Sequence, residues 1–522
     1  MHFSMSARTA LLATWLSFVT TSAANAAFDP LGRFSQTRFA AMDDDFADDA
    51  GSQCNSTSCY RYYNNNTAPY LIQSWPDVKF DTGEFYSGSI PINETDPDTT
   101  LFFIFKPTSG PPVDTLTIWF NGGPGCSSLE GFLQENGPIS YQPGVANPRR
   151  NKHAWSTLTN MIWVEQPVGT GFSTGKPTAT NEVDVANQFL GFFKNFETLF
   201  NITNYKIYVT GESYAGRYVP YVSAAMLDQN DTTYFDLTGA LAYDPCIGSW
   251  EYVQETVTSY DFAVANNEIL NLNASFMSQL GELNQQCGYT DYVNTYLQFP
   301  PPGNQAPFYP YSEKGNSSLY GNCAMYDIIY EAASIINPCF DVYHIVQTCP
   351  SPKPNLAVYW NRPDVKAAIH APNKTWHDCS PKPVFVGSQT HPFGPEQEDD
   401  SSPDPIQHVL PQVIEATSRV LVGNGMWDYI IQTNGTLLSI QNMTWNGQLG
   451  FQSAPTAPFI VNQSESLHGI SLGAAQGTMG KWHYERGLMW VETDQCGHQE
   501  PEYQPLASIL HVQWLLGMID TF

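Results

Sequence analysis

The sequence predicts an α/β protein with a mostly parallel central sheet and helices on both faces, and three observations predict it. Short runs rich in β-branched and aromatic residues recur from Leu116 onward, each ends in a Gly-rich or polar turn, and helix-like stretches separate them. Runs that are apolar at consecutive positions, not alternate ones, suit strands buried on both faces, which is the condition of a parallel sheet.

Residues 1–26 come first. Arg8, the apolar run Ala10 to Val19 and the small residues ending in Ala24-Asn25-Ala26 form a secretory signal. Residues 27–70 hold the acidic run Asp43 to Asp49 and Asn64-Asn65-Asn66 with little periodic hydrophobicity, so a mobile N-terminal arm or removable pro-segment is expected. The first part of the core, 71–249, carries strands Leu116–Phe120, Met161–Val164, Tyr205–Val209 and Leu237–Ala242. They run into Asn121-Gly122-Gly123, Glu165-Gln166-Pro167, Gly211-Glu212-Ser213 and Asp244-Pro245 respectively. Over 250–410 the pattern turns to helix-like stretches, Pro-rich loops such as Phe299 to Pro310, and clustered cysteines, which predicts a large insertion capping the sheet. The second part of the core, 411–522, restores the strands with Arg419–Val422 before Gly423 and Leu488–Val491 leading to Gly497-His498.

The chain has 522 residues, and 50 Asp and Glu against 22 Lys and Arg give a formal charge of −28. That balance argues against nucleic acid or an anionic membrane as a partner and suits an acidic working environment. After the leader, no stretch reaches the roughly 18 uninterrupted apolar residues of a spanning helix. Sequons begin at Asn55, Asn65, Asn93, Asn201, Asn230, Asn273, Asn316, Asn373, Asn434, Asn442 and Asn462, and behind a signal peptide they read as surface glycosylation sites. Ten cysteines in an exported chain favour disulfides, and neither a C-x-x-C pair nor a His-rich cluster suggests metal.

Chemistry in open α/β sheets gathers at the carboxyl ends of the strands. Gly211-Glu212-Ser213-Tyr214-Ala215-Gly216 lies at one of them, before the helix-like stretch Arg217 to Leu227. A G-x-S-x-G element between strand and helix is a nucleophile elbow, so the fold class becomes the α/β-hydrolase fold. A serine hydroxyl needs a histidine to take its proton and an acid to orient that histidine. His498 follows the last strand and Asp428 follows the strand before it, in the chain order this fold uses. Asp494 is the rival acid, but it lies in the same loop as His498. His344, His370, His377 and His483 lack a motif and read as structural or surface residues.

These blocks resemble the serine carboxypeptidase family, peptidase family S10, and within it the secreted fungal carboxypeptidase S1-like branch. The resemblance rests on Trp119-Phe120-Asn121-Gly122-Gly123-Pro124-Gly125-Cys126-Ser127-Ser128, Glu135-Asn136-Gly137-Pro138, Trp163 to Ser173, Gly211 to Tyr218, and the segments around Asp428 and His498. It implies that the backbone N–H groups of Gly123 and Tyr214 form an oxyanion hole. It also implies that Asn121 and Glu212, helped by Trp119 and Glu135, hold the substrate's terminal carboxylate. An amide N–H and a protonated carboxyl can both donate to that group. The resemblance pairs Cys126 with Cys379. Two departures stand out: the acid segment carries Asn424, and Gln499 follows the histidine, which implies a more polar pocket for the leaving residue. Cys246 and Cys496 both follow strands of the sheet, and a bond between them is expected.

The function expected is a serine-type carboxypeptidase acting on peptide or protein C-termini through an acyl-enzyme, with no metal or organic cofactor. The same triad would serve an esterase or acyltransferase, and a non-catalytic binding protein could retain the scaffold. Extracellular secretion is the expected destination, with the vacuole as the alternative.

Overall fold

The structure is a computed structural model and describes residues 59–142, 144–307, 323–350, 356–386, 400–461 and 476–522. The leader and the acidic run 43–49 lie outside the described residues.

One ten-stranded sheet organises the chain. Its strands are β1 (Tyr86–Asn93), β2 (Asp96–Lys106), β3 (Thr115–Phe120), β4 (Asn160–Glu165), β5 (Lys206–Glu212), β6 (Asp236–Tyr243), β7 (Val420–Gly425), β8 (Ala457–Val461), β9 (Gly477–Glu485) and β10 (Leu488–Thr493). They lie in the order β1-β2-β4-β3-β5-β6-β7-β10-β9-β8. From β4 to β10 neighbouring strands are parallel, and the antiparallel pairs stand at the two margins. Every strand expected from the sequence begins within one residue of its predicted start. Of the marginal strands, β1 and β9 show no continuous apolar run, because β1 carries Gly88 and Pro91 and β9 is only partly buried, whereas β2 carries one, Leu101–Phe105, that the expected strands do not include.

The apolar runs split residue by residue between two layers. In β3, Leu116, Ile118 and Phe120 face one core while Trp119 faces the other; in β7, Val420 and Val422 oppose Leu421. Helix α1 (Ser128–Gln134) covers the second face, α2 (Glu182–Phe200) and α3 (Ala215–Gln229) the first. In α2, Phe189, Phe192, Phe193, Phe196 and Phe200 recur at helical spacing and are all buried in the first layer. Asn181 caps α2 by accepting from Asp184 N–H at 3.0 Å, and Asn201, at φ 54, ends it in the left-handed conformation. Helix α4 (Val409–Thr417) joins that face, and α5 (Thr433–Gln441) follows β7.

Two expected boundaries change. Residues 59–70 belong to the core: Arg61 and Tyr62 donate their N–H groups to Glu84, both at 2.8 Å, and the Arg61 guanidinium reaches Asp114 at 2.6 Å. Tyr62 is buried among Phe105 and Phe200, a packing that the Tyr60-Arg61-Tyr62-Tyr63 segment, which lacks a strand or helix period, does not advertise. The insertion 250–410 is also not a single cap. Its first part, from Val257 to Ile345, has its own apolar cluster, which takes in Tyr429 and Leu438 of the core. Leu356, Trp360, Ile369 and Trp376 instead pack with Trp119 and Phe132 against the sheet.

Among the sequons, Asn65, Asn93, Asn201, Asn230, Asn273 and Asn373 are exposed. Asn434 and Asn442 are half-buried, and Asn442 accepts from Gln305 N–H at 2.8 Å, because α5 lies under the insertion. Asn55, Asn316 and Asn462 lie outside the described residues. No helix among the described residues is long and apolar enough to cross a membrane.

Candidate active site

Ser213 occupies the tight turn between β5 and α3 at φ 64, left-handed backbone that a non-glycine residue adopts at a cost of about 1–3 kcal/mol. The surrounding chain holds it there. Its N–H donates to Tyr243 O at 2.9 Å, and its carbonyl accepts from Gly216 N at 2.8 Å and Cys246 N at 3.0 Å. A Cβ on Gly216 would stand 2.5 Å from Cys246 N, so the close approach of turn and β6 needs glycine.

The ring of His498 is buried, and its Nδ1–H donates to Asp428 Oδ2 at 2.7 Å. Asp428 is fully buried, and its Oδ1 accepts from Ile430 N at 2.9 Å and Ile431 N at 3.3 Å. Asp494 is exposed. His498 Nε2 has no hydrogen-bond partner among the described residues, so the bond to Ser213 Oγ is not made in this state. Such a contact often tightens only when substrate binds.

Gly123 and Tyr214 border the same cavity as Ser213, a space of about 730 Å³ that also touches Tyr252, Tyr343 and Phe385. Neither the Gly123 nor the Tyr214 N–H has an acceptor among the described residues. The loop bearing Gly123, at φ 111, is tied down by a Cys126–Cys379 disulfide, by Ser127 N donating to Asp378 O at 2.7 Å, and by Ser380 N donating to Gly125 O at 2.9 Å.

Asn121, Trp119, Glu135 and Glu212 form one buried network. The Asn121 amide donates to Glu212 Oε1 at 2.8 Å and Glu135 Oε1 at 3.2 Å, and its carbonyl oxygen accepts from Trp119 Nε1 at 2.9 Å and Gly131 N at 3.2 Å. Glu135 Oε2 and Glu212 Oε2 accept no hydrogen bond from an N–H or hydroxyl donor among the described residues. Burial pushes Glu135 up to about 7; burial, then the Glu135 charge, pushes Glu212 well above the usual carboxylate range. Two carboxyls placed this way keep their protons in acid and give them up one at a time as pH rises.

Gln499 donates to Glu130 Oε1 at 3.2 Å and accepts from Tyr503 OH at 3.3 Å. Glu130, together with Glu502, makes this region acidic as well as polar, and burial pushes Glu502 up to about 8. Neither glutamate carried a motif in the sequence. Tyr343 was missed too: its ring lies 5.0 Å from the His498 ring and its carbonyl accepts His498 N–H at 2.8 Å, across a sequence distance no local pattern bridges.

The expected Cys246–Cys496 bond is absent, and both are buried free thiols. Strand β7 lies between β6 and β10, which they follow. Two strand spacings come to roughly 10 Å, beyond the ~7 Å between Cα atoms that a disulfide spans. The structure forms Cys287–Cys323 and Cys339–Cys349 within the insertion.

Comparison with known proteins agrees with this geometry. The family described as serine carboxypeptidase, peptidase family S10, matches residues 76–517. Serine-type carboxypeptidase F of Aspergillus niger is 52% identical over 482 residues, covering 88% of this chain and 89% of the relative. A carboxypeptidase Y homolog of Arthroderma benhamiae is 40% identical over 452 residues, covering 86% of each. The crystal structure of a Saccharomyces cerevisiae prohormone-processing carboxypeptidase, KEX1(delta)p, shares the fold, with a TM-score of 0.65, 22% identity, and coverage of 87% of this chain and 96% of that one.

Proposed function

The chain belongs to the serine carboxypeptidase family and is a serine-type carboxypeptidase, an exopeptidase, and from that premise we propose that Ser213, His498 and Asp428 carry the reaction through an acyl-enzyme in acid. Ser213 Oγ attacks the carbonyl of the last peptide bond while His498 Nε2 takes its proton, and the imidazolium that forms is stabilised by Asp428 across the 2.7 Å bond. The N–H groups of Gly123 and Tyr214 receive the oxyanion. His498 returns the proton to the departing amine, and water, deprotonated by the same imidazole, hydrolyses the acyl-enzyme.

The observation that carries this reading is the Asn121–Glu135–Glu212 network beside Ser213. Any serine hydrolase needs a triad, whereas a buried carboxyl pair holding a proton suits an enzyme that must accept a free carboxylate. In acid, protonated Glu212 donates to the substrate's terminal group; when both carboxyls ionise they repel it. Trp119 and Asn121 keep the pair in register. Gln499 and Glu130 line the side toward the leaving residue. The acidic composition and the leader support secretion to an acidic extracellular setting, with several exposed sequons glycosylated.

The test compares a blocked dipeptide with its amide and its methyl ester, and maps fluorophosphonate labelling. Label on Ser213 and preference for the free acid sustain the reading. Label elsewhere, or equal turnover of all three substrates across pH, would sink it.

A further inference from the structure

Asp244 follows β6 directly, beside the loop that carries Asp428, and the mechanism above gives it no part. It is fully buried, at φ 41. Its Oδ1 accepts from the Asn424 side-chain amide and from Gly425 N, both at 2.9 Å, while its Oδ2 is buried with no hydrogen-bond partner among the described residues. One oxygen of Asp244, one of Asp428 and a ring nitrogen of His498 all lie within 4.8 Å of one another.

Two buried carboxyls this close cannot both ionise cheaply, and the donors around them decide which keeps the charge. Asp428 receives the imidazole N–H and two backbone N–H groups spread over both oxygens. Asp244 receives two donors on Oδ1 and none on Oδ2, so an oxygen without a donor is satisfied by carrying a proton of its own. Burial first, then the Asp428 charge, raise Asp244 well above the usual carboxylate range. The other titratable groups facing this site are shifted so that they add no charge in acid. Burial pushes Glu500 up to about 8 and also raises the Cys496 thiol and the Tyr243 hydroxyl. His511, behind Tyr243 OH at 3.0 Å, is pushed down to about 3 and stays neutral.

We propose that Asp244 is a positioning residue for the triad acid: its Oδ2 carries a proton and donates it in a hydrogen bond to Asp428, which keeps Asp428 ionised and aimed at His498 Nδ1. Asn424 and the Gly425 N–H clamp the other oxygen so that the donor points that way. The inference rests on the assignment of Asp428 and His498 above.

Asp244→Asn puts a donor that never ionises in the acid's place, and Asp244→Val and Asp244→Ala remove the donor. The full-length variants are checked for folding by thermal melting and assayed on a blocked dipeptide across pH. The asparagine variant is expected to keep kcat within about threefold and the acidic limb of kcat within about 0.3 pH unit. Valine and alanine are expected to lower kcat by about 10- to 100-fold with KM within about twofold, and to move that limb by about half a unit or more. Wild-type kcat and an unmoved limb in a folded valine or alanine variant would overturn the proposal. A limb displaced by about half a unit in Asp244→Asn would overturn it as well, because Asp244 would then carry charge in the working range. If neither apolar variant folds, the asparagine variant decides: an unmoved limb sustains the proposal and a displaced one overturns it. Failure of the triad assignment looks different, since Ser213→Ala and Asp428→Asn would then retain turnover.

Discussion

Asn121 donates its side-chain amide to Glu212 Oε1 at 2.8 Å, and the two residues stand at the ends of adjacent parallel strands, β3 and β5. With Glu135 pushed up to about 7 and Glu212 raised well above the usual carboxylate range, the pair is protonated in acid and takes on its first charge as pH rises through neutrality. KM for a blocked dipeptide is expected to rise between about pH 5 and 8, and Glu212→Gln, a permanent donor, to flatten that rise. Amide and ester substrates carry no carboxylate and should escape it. Parallel KM profiles for acid, amide and ester in both proteins would show that the pair does not bind the terminal carboxylate.

Ser213→Ala and His498→Ala are each expected to lower kcat by on the order of 10⁴-fold or more with the fold retained. Asp428→Asn should be severe, because the amide leaves the imidazole in the wrong tautomer, whereas exposed Asp494→Asn should change kcat by less than about twofold. Steady-state kinetics with circular dichroism decide, and the reverse ranking of the two acids would move the role to Asp494.

The Cys126–Cys379 bond closes a loop across a sequence separation of 253 residues and fastens the turn that presents Gly123. Replacing both cysteines by Ser should cost about 2–5 kcal/mol of stability. It should also reduce kcat more than it raises KM, as the oxyanion donor loosens. Denaturant melts and kinetics read the two effects separately; wild-type kcat in the variant would mean the loop holds its shape without the bond.

Glu197 on α2 is 1% exposed with neither carboxyl oxygen hydrogen-bonded among the described residues, and burial pushes it up to about 9. Folded protein therefore retains a proton that the unfolded chain releases from about pH 4.5 upward, so stability falls as pH rises toward 9. Glu197→Gln removes that dependence. Its melting temperature should match wild type near pH 4 and exceed it by a gap that widens toward pH 8. A gap independent of pH would show that Glu197 is ionised in the fold.

The sequence by itself determined the six inner strands of the central sheet, the elbow around Ser213 and the Gly-rich block before Cys126, because each depends on local rules. A strand buried on both faces must be continuously apolar, and a turn packed so closely that a Cβ would stand 2.5 Å from its neighbour must carry glycine. Long-range pairing obeys no such rule. Only the tertiary structure decided that Asp428, 70 residues away, reaches His498 while Asp494, four residues before it in the chain, turns to solvent: β7 lies beside β10 and delivers its end loop under the imidazole. The same strand keeps Cys246 and Cys496 apart. Residues 59–70 and the halves of the insertion were misread for a related reason, since what Tyr62 or Trp360 packs against is set by surfaces brought together from distant segments. Strand order places charges and thiols, and strand order is a property of the whole chain.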